Sequence, residues 1–364
     1  MLDRGETDRD MMRLTLISLT LFLAFPAAGA PGGGRDLFLK PFADNSPWNA
    51  PIDRNASYEP IKDIEAQHGD INFDGRWSTG VYKATLRDRL ARLYIHDYTL
   101  WDLLNSGAVK TFGNTPGLEA ALRKASADKP RFPANYYSTT TRSPPGPRTF
   151  PPDVRDINLN WTNSIYVPLI ARPSPDSDAQ LAIWQPGGLI LECYGAVVCG
   201  NGDVICTMAS FSDPSGDGTG AGNGRCASLL PNYAGLIRKG EVDGRRISHA
   251  LSCTVSRLLL APQFVWPAYA MDMNDRYEGT VPMGSLLAIP PDVNLDNLDL
   301  SEKGKIIARA AQEFGIYVVD RGGDGGIVLK ASLDADDALY ADRAKDAQII
   351  VRNLQRVTSA RKSR

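Results

Sequence analysis

A mainly β fold, a β-sandwich or jelly-roll with short helices and a C-terminal helix, is predicted by three observations. Short strand-forming runs recur along the chain. Turn residues separate them, drawn from 33 glycines and 25 prolines. Stretches with helical spacing are few.

The chain starts with polar residues, then Met11, Met12 and Arg13 introduce the apolar run LTLISLTLFLAFPAAGA. A basic start, an apolar stretch and small residues around Ala28, Gly29 and Ala30 spell a secretory signal peptide over residues 1–30. The run is shorter than the roughly 20 apolar residues that span a bilayer. The expected location is therefore secreted or periplasmic, with one β-rich domain over 31–330 and a helical tail over 331–364. A net charge of -2 among 364 residues offers no basic surface for nucleic acid.

After the glycine-rich entry, the prolines of FLKPFADNSPWNAPID forbid a helix and point to an extended segment anchored by Trp48. Strands are expected at 77–85 and 92–98, the second placing Tyr94, His96 and Tyr98 on one face. A short helical run at 118–127 leads into a proline-rich stretch whose aromatics favour a packed surface loop over a linker. Strand character returns at 161–170.

The most informative stretch is LAIWQPGGLILECYGA, residues 181–196. Two apolar runs flank Pro186, Gly187 and Gly188, the pattern of a β-hairpin. Alternation puts Ile190, Glu192 and Tyr194 on one face and Leu191 and Cys193 on the other. A carboxylate in so apolar a run is costly to bury, so Glu192 needs a partner or a wet cleft.

All five cysteines lie between 193 and 253. In an oxidising compartment this suggests Cys199–Cys206 and Cys193–Cys226 bridges, with Cys253 a lone buried thiol. No zinc spacing appears among the cysteines and histidines. In the glycine-rich loop that follows, Asp213, Asp217 and Asn223 have calcium-type oxygens but not the spacing of a calcium loop, and a cysteine-stapled loop is preferred. No metal or cofactor is expected.

Two long strands are expected over 244–268, with His249 in a row with Ile247 and Leu251. One more strand is expected over 281–289. Ser301 starts a helix that Gly315 ends. Residues 316–319 and 327–330 read as a second hairpin around DRGGDGG, whose Asp320 and Asp324 are ordinary turn residues. The last helical stripe, Tyr340, Ala344, Ala347, Val351 and Leu354, would dock on the body or on another subunit.

Taken together, SPWNAPI, LECYGA, NYAGLIRKGEVDGRRISHAL, FVWPAY, PMGSLLAIPPD and FGIYVVDRGG resemble a family of secreted bacterial proteins without an established activity. The resemblance runs in patches over 41–329, strongest over 179–319. It implies that Glu192, Tyr194, His249 and Trp266 hold recurring positions, with carbohydrate as the substrate class. The five cysteines and the 215–224 loop depart from it.

Three functions follow. The first is a polysaccharide-cleaving enzyme with Glu192, His249 and Tyr194 as catalytic candidates and Trp48, Trp184, Arg246, Trp266 and His96 as substrate-binding ones. A glycoside hydrolase needs a second carboxylate, Asp97 or Asp203 by default. A uronate lyase needs His249 or Tyr194 as base and Arg245 or Arg246 to neutralise charge. The second is a glycan- or wall-binding protein using the aromatics, although Trp184 and Trp266 are expected in the core. The third is a surface protein that assembles through its terminal helix. The cleavage reading requires Glu192 to reach solvent.

Overall fold

The structure, a computed structural model, describes residues 36–95 and 164–358, apart from 74, 76, 176–177, 221–223, 245, 273–276, 324 and 336–339. The expected signal segment, His96, Asp97, the helical run expected at 118–127 and the proline-rich stretch lie outside the described residues.

In chain order the strands are β1 (Tyr58–Pro60), β2 (His68–Asn72), β3 (Gly80–Lys83), β4 (Arg89–Ile95) and β5 (Ser164–Val167). Next come β6 (Leu181–Trp184), β7 (Ile190–Tyr194), β8 (Val197–Val198), β9 (Val204–Cys206) and β10 (Met208–Ser212). The second half adds β11 (Leu251–Val255), β12 (Leu260–Phe264), β13 (Val281–Met283), β14 (Leu286–Ala288) and helix α1 (Glu302–Glu313). It closes with β15 (Ile316–Arg321), β16 (Gly326–Lys330), α2 (Arg343–Arg352) and β17 (Gln355–Val357). The described chain is thus mainly β with few helices.

A seven-stranded mixed sheet runs β1-β17-β14-β15-β11-β16-β2, and a four-stranded sheet runs β10-β7-β6-β3. A second four-stranded sheet runs β5-β4-β9-β8, and β12 pairs with β13. Three apolar clusters bind the layers. One joins α1 and α2 to the seven-stranded sheet through Ile307, Ala347, Ile350, Cys253 and Leu329. The second joins that sheet to the β6–β7 sheet through Trp48, Trp184, Ile190, Tyr233 and Tyr317. The third packs Leu181, Leu191 and Cys193 against Leu93, Ile165 and Cys206 of the outer sheet. Each large buried side chain contributes about 1.5–3 kcal/mol relative to exposure.

Local sequence explains several elements. The expected hairpin forms: Trp184 pairs with Ile190, and Gly188 turns the chain at φ 90°, where a side chain would be strained. Ser301 caps α1 by accepting the Gly304 N–H at 3.1 Å, and Gly315 ends it with φ 81°. A Cβ on Gly69 would lie 2.5 Å from the Ala347 carbonyl oxygen, so the missing side chain lets α2 lie directly on β2.

Other expectations are corrected. β15 and β16 do not form a hairpin, because β11 lies between them, parallel to β15 and antiparallel to β16. The run at 244–255 is strand only from Leu251, and the 281–289 run divides at Gly284 into β13 and β14. The terminal segment is not solely helical, since β17 enters the large sheet between β1 and β14. The disulfide is Cys193–Cys206, and Cys199, Cys226 and Cys253 are buried thiols. β7 and β9 belong to facing sheets, which brings Cys193 and Cys206 together across the third cluster.

Candidate functional site

Glu192 lies in β7, opposite Ala182 and Ser210, on the face turned toward the large sheet. It is 0% exposed, so the surface role expected for it is not available in this conformation. Its carboxylate accepts the Ser212 hydroxyl at 3.0 Å and the Asn232 N–H at 2.8 Å. The Tyr233 hydroxyl lies 3.1 Å from Ser212 Oγ. Burial pushes Glu192 up to about 7, against the pull of the Asn232 N–H, the Arg225 charge and Ser212. The partners required by a carboxylate in an apolar strand are therefore Ser212, Asn232 and Arg225. Tyr194 shares the face and sits half-buried at the end of β7.

His249 precedes β11 and is 6% exposed. Nδ1 meets the Ala250 carbonyl at 2.9 Å and Nε2 meets Glu241 Oε1 at 3.0 Å. Both neighbours accept, so an imidazolium satisfies the two contacts at once. Burial opposes that charge and Lys40 repels it, but Glu241 and the Ala250 carbonyl outweigh them and raise the pKa. The other Glu241 oxygen accepts the Arg238 N–H at 2.8 Å, and Arg238 Nη1 donates to the Phe38 carbonyl at 2.9 Å. The pair thereby secures the N-terminal extended segment, a structural use.

The remaining candidates are dispersed. Trp48 is 1% exposed and donates Nε1–H to Gly218 O at 2.7 Å. It anchors the N-terminal segment as expected but cannot stack on a ligand. Trp184 is core, edge-on to Tyr233. Arg246 lines a recess of about 310 Å³ with Arg309 and Glu313, and it pairs with Glu313 at 3.4 Å. Asp203 sits in the turn before β9 of the outer sheet, accepting the Arg92 N–H at 2.9 Å and the Asn201 amide at 2.9 Å. Asp213 and Asp217 each cap their own turn, through Ser215 and Thr219. Asn223, Arg245 and Asp324 lie outside the described residues. Among the described residues, no three His, Cys, Asp or Glu side chains converge as a metal site.

Trp266 reverses its expected placement. It is 58% exposed, with Val265 at 40% and Tyr269 at 41%. The turn that carries them is held by the Val265 N–H on Met283 O at 2.8 Å, the Ala268 N–H on Val265 O at 3.0 Å and the Tyr269 N–H on Ser228 O at 2.9 Å. Tyr269 OH also lies 3.2 Å from Thr219 Oγ1. An indole and a phenol thus stand on a fixed backbone, facing solvent.

Two carboxylates adjoin this turn. Asp272 accepts the Tyr277 hydroxyl. Asp320, at the end of β15, accepts the backbone N–H of Arg321 at 2.9 Å. It also takes a backbone hydrogen bond from Ala227, whose neighbour Ser228 accepts the Tyr269 N–H. Burial raises both, and the charge of Asp272 helps bring Asp320 to about 6 despite Lys330. Sequence reading missed Asp272 and dismissed Asp320 as a turn residue. The usable signal was FVWPAY followed by a nearby aspartate. No family model, curated protein or solved structure matches this chain.

Proposed function

We propose that this is an exported glycan-binding protein that holds its ligand on the Trp266–Tyr269 turn. The carrying observation is the exposure of Trp266, 58%, on a backbone pinned by three hydrogen bonds. Stacking on a sugar ring needs a flat apolar face that is already in place, because ordering it on binding costs affinity. The Cys193–Cys206 bridge supports an oxidising compartment. Among the described residues no helix is long and apolar enough to cross a membrane. The scaffold we propose is a β-sandwich, in which the seven-stranded sheet and the β6–β7 sheet enclose the Trp48 cluster.

A panel of soluble polysaccharides tests the reading, with binding followed by tryptophan fluorescence and by depletion. Trp266→Ala is expected to weaken binding by roughly tenfold, about 1.4 kcal/mol. Unchanged binding by that variant would overturn the reading.

The second reading is cleavage, and one observation favours it: Asp320, bonded to the backbone of Ala227 beside the Tyr269 anchor, is half-buried and is raised further by the charge of Asp272. A glycoside hydrolase needs two carboxyl groups about 5 to 9.5 Å apart, one of them protonated as the acid. Under this reading Asp320→Asn stops the release of reducing ends and Glu192→Gln does not. Undiminished turnover in Asp320→Asn would overturn it.

A further inference from the structure

The charges around the Trp266–Tyr269 shelf narrow its ligand. We infer that the glycan held there carries free amino groups, making it a hexosamine polymer rather than a neutral glucan or a uronate. The inference rests on the shelf being the binding surface.

Three carboxylates border the shelf. Asp217 is exposed and accepts Thr219 Oγ1–H at 2.9 Å, and that same oxygen contacts the Tyr269 hydroxyl. Asp217 is therefore one side chain away from the phenol edge of the shelf. Asp272 follows Tyr269 by three residues and is half-buried. Asp320 is half-buried beside Ala227 and Ser228, the backbone that holds Tyr269. Arg321, exposed and close enough to bias Asp272, opposes them. Among the described residues, Arg321 and the Lys330 ammonium that acts on Asp320 stand against these three carboxylates, which leaves one negative charge in excess, and Asp217 is the exposed one.

Asp217 lies one side chain from the Tyr269 hydroxyl, and a charge there is felt over about a Debye length, near 8–10 Å at physiological salt. A uronate carboxylate placed there meets the like charge of the exposed Asp217. An ammonium group meets carboxylates and, over the indole face, a favourable cation–π contact. A neutral sugar gains stacking alone. The inference therefore ranks ligands as well as naming one.

The test measures depletion of full-length mature protein by three soluble polymers at near-neutral pH: a partly de-N-acetylated hexosamine polymer, a neutral β-glucan and a uronate polymer. Each is run at low and high salt, with wild type, Trp266→Ala and Asp217→Asn. Asp217→Asn keeps an oxygen for Thr219, so the turn is preserved. The hexosamine polymer is expected to bind tightest and to lose affinity in high salt. In Asp217→Asn it should weaken on the order of two- to fivefold, the size of an exposed charge contact, and in Trp266→Ala most binding should go. Preference for the glucan or the uronate, or no effect of Asp217→Asn and salt, overturns the charge inference while Trp266-dependent binding keeps the shelf. Binding of no polymer removes the shelf reading itself.

Discussion

Glu192 titrates near 7 in the fold, against an ordinary value of 4.5. Between those values the unfolded chain gives up the proton that the folded chain keeps, so stability falls as pH rises through the window and levels off above it. His249 acts in the same direction. Its folded value lies above 6.5, so the stability it lends is full below 6.5 and is lost as pH rises through the folded value. The melting temperature is therefore expected to decline as pH rises from about 4.5 to about 7 and on through the folded value of His249. Glu192→Gln should flatten the acid half of that decline, since an amide can accept from Asn232 and donate to Ser212 without a charge. His249→Gln should flatten the upper half. A Glu192→Gln variant whose thermal melts keep the wild-type slope would falsify this assignment. At this scale the sequence was readable up to a point. A carboxylate in an apolar strand had to be partnered or wet, and alternation placed it correctly beside Ile190 and Tyr194. Which partner it had was not readable, because Ser212, Arg225 and Asn232 arrive from other segments.

Elements built from neighbouring residues were read well. The β6–β7 hairpin turns at its glycines, and α1 begins at Ser301 and stops at Gly315, because caps and turns are short-range chemistry. Ser301 does more than cap, since its hydroxyl also donates to the buried Asp346, which in addition accepts the Ser301 N–H at 3.0 Å and the Tyr340 hydroxyl at 2.9 Å. Ser301→Ala removes the cap and one of three donors to a buried carboxylate. The expected cost is about 2–3 kcal/mol, combining the cap with a charged hydrogen bond. Urea unfolding measures it, and a loss below half of that would show the Asp346 cluster to be dispensable. Elements built from distant residues were misread. β15 and β16 look like a hairpin in sequence, yet β11 pairs with both. Two apolar runs around a glycine turn carry no mark that a third strand will separate them.

For the whole molecule, the C-terminal segment belongs to the scaffold. α2 covers β2, with Gln348 Oε1 accepting the Gly69 N–H at 3.1 Å and its amide donating to Gln67 O at 2.9 Å. β17 bridges β1 and β14. A variant ending at Ala335 would expose the edge of β14 and the apolar face that Ala347, Ile350 and Val351 cover. It is expected to lose cooperative unfolding, read by circular dichroism against temperature, and to aggregate through the bare strand edge. A monomer that melts like the full chain would reduce the segment to an appendage.

The sequence by itself determined the β-rich character, the β6–β7 hairpin and its alternation, the limits of α1, and the need of Glu192 for company. Each follows from side chains a few positions apart. Only the tertiary structure decided that Trp266 meets water while Trp184, expected beside it in the core, stays inside, that Cys193 joins Cys206, and that Asp272 and Asp320 share a neighbourhood. Those outcomes depend on which sheets stack and which segments cross between them. Such long-range packing is set by the sum of many small burial energies, and no local pattern carries it.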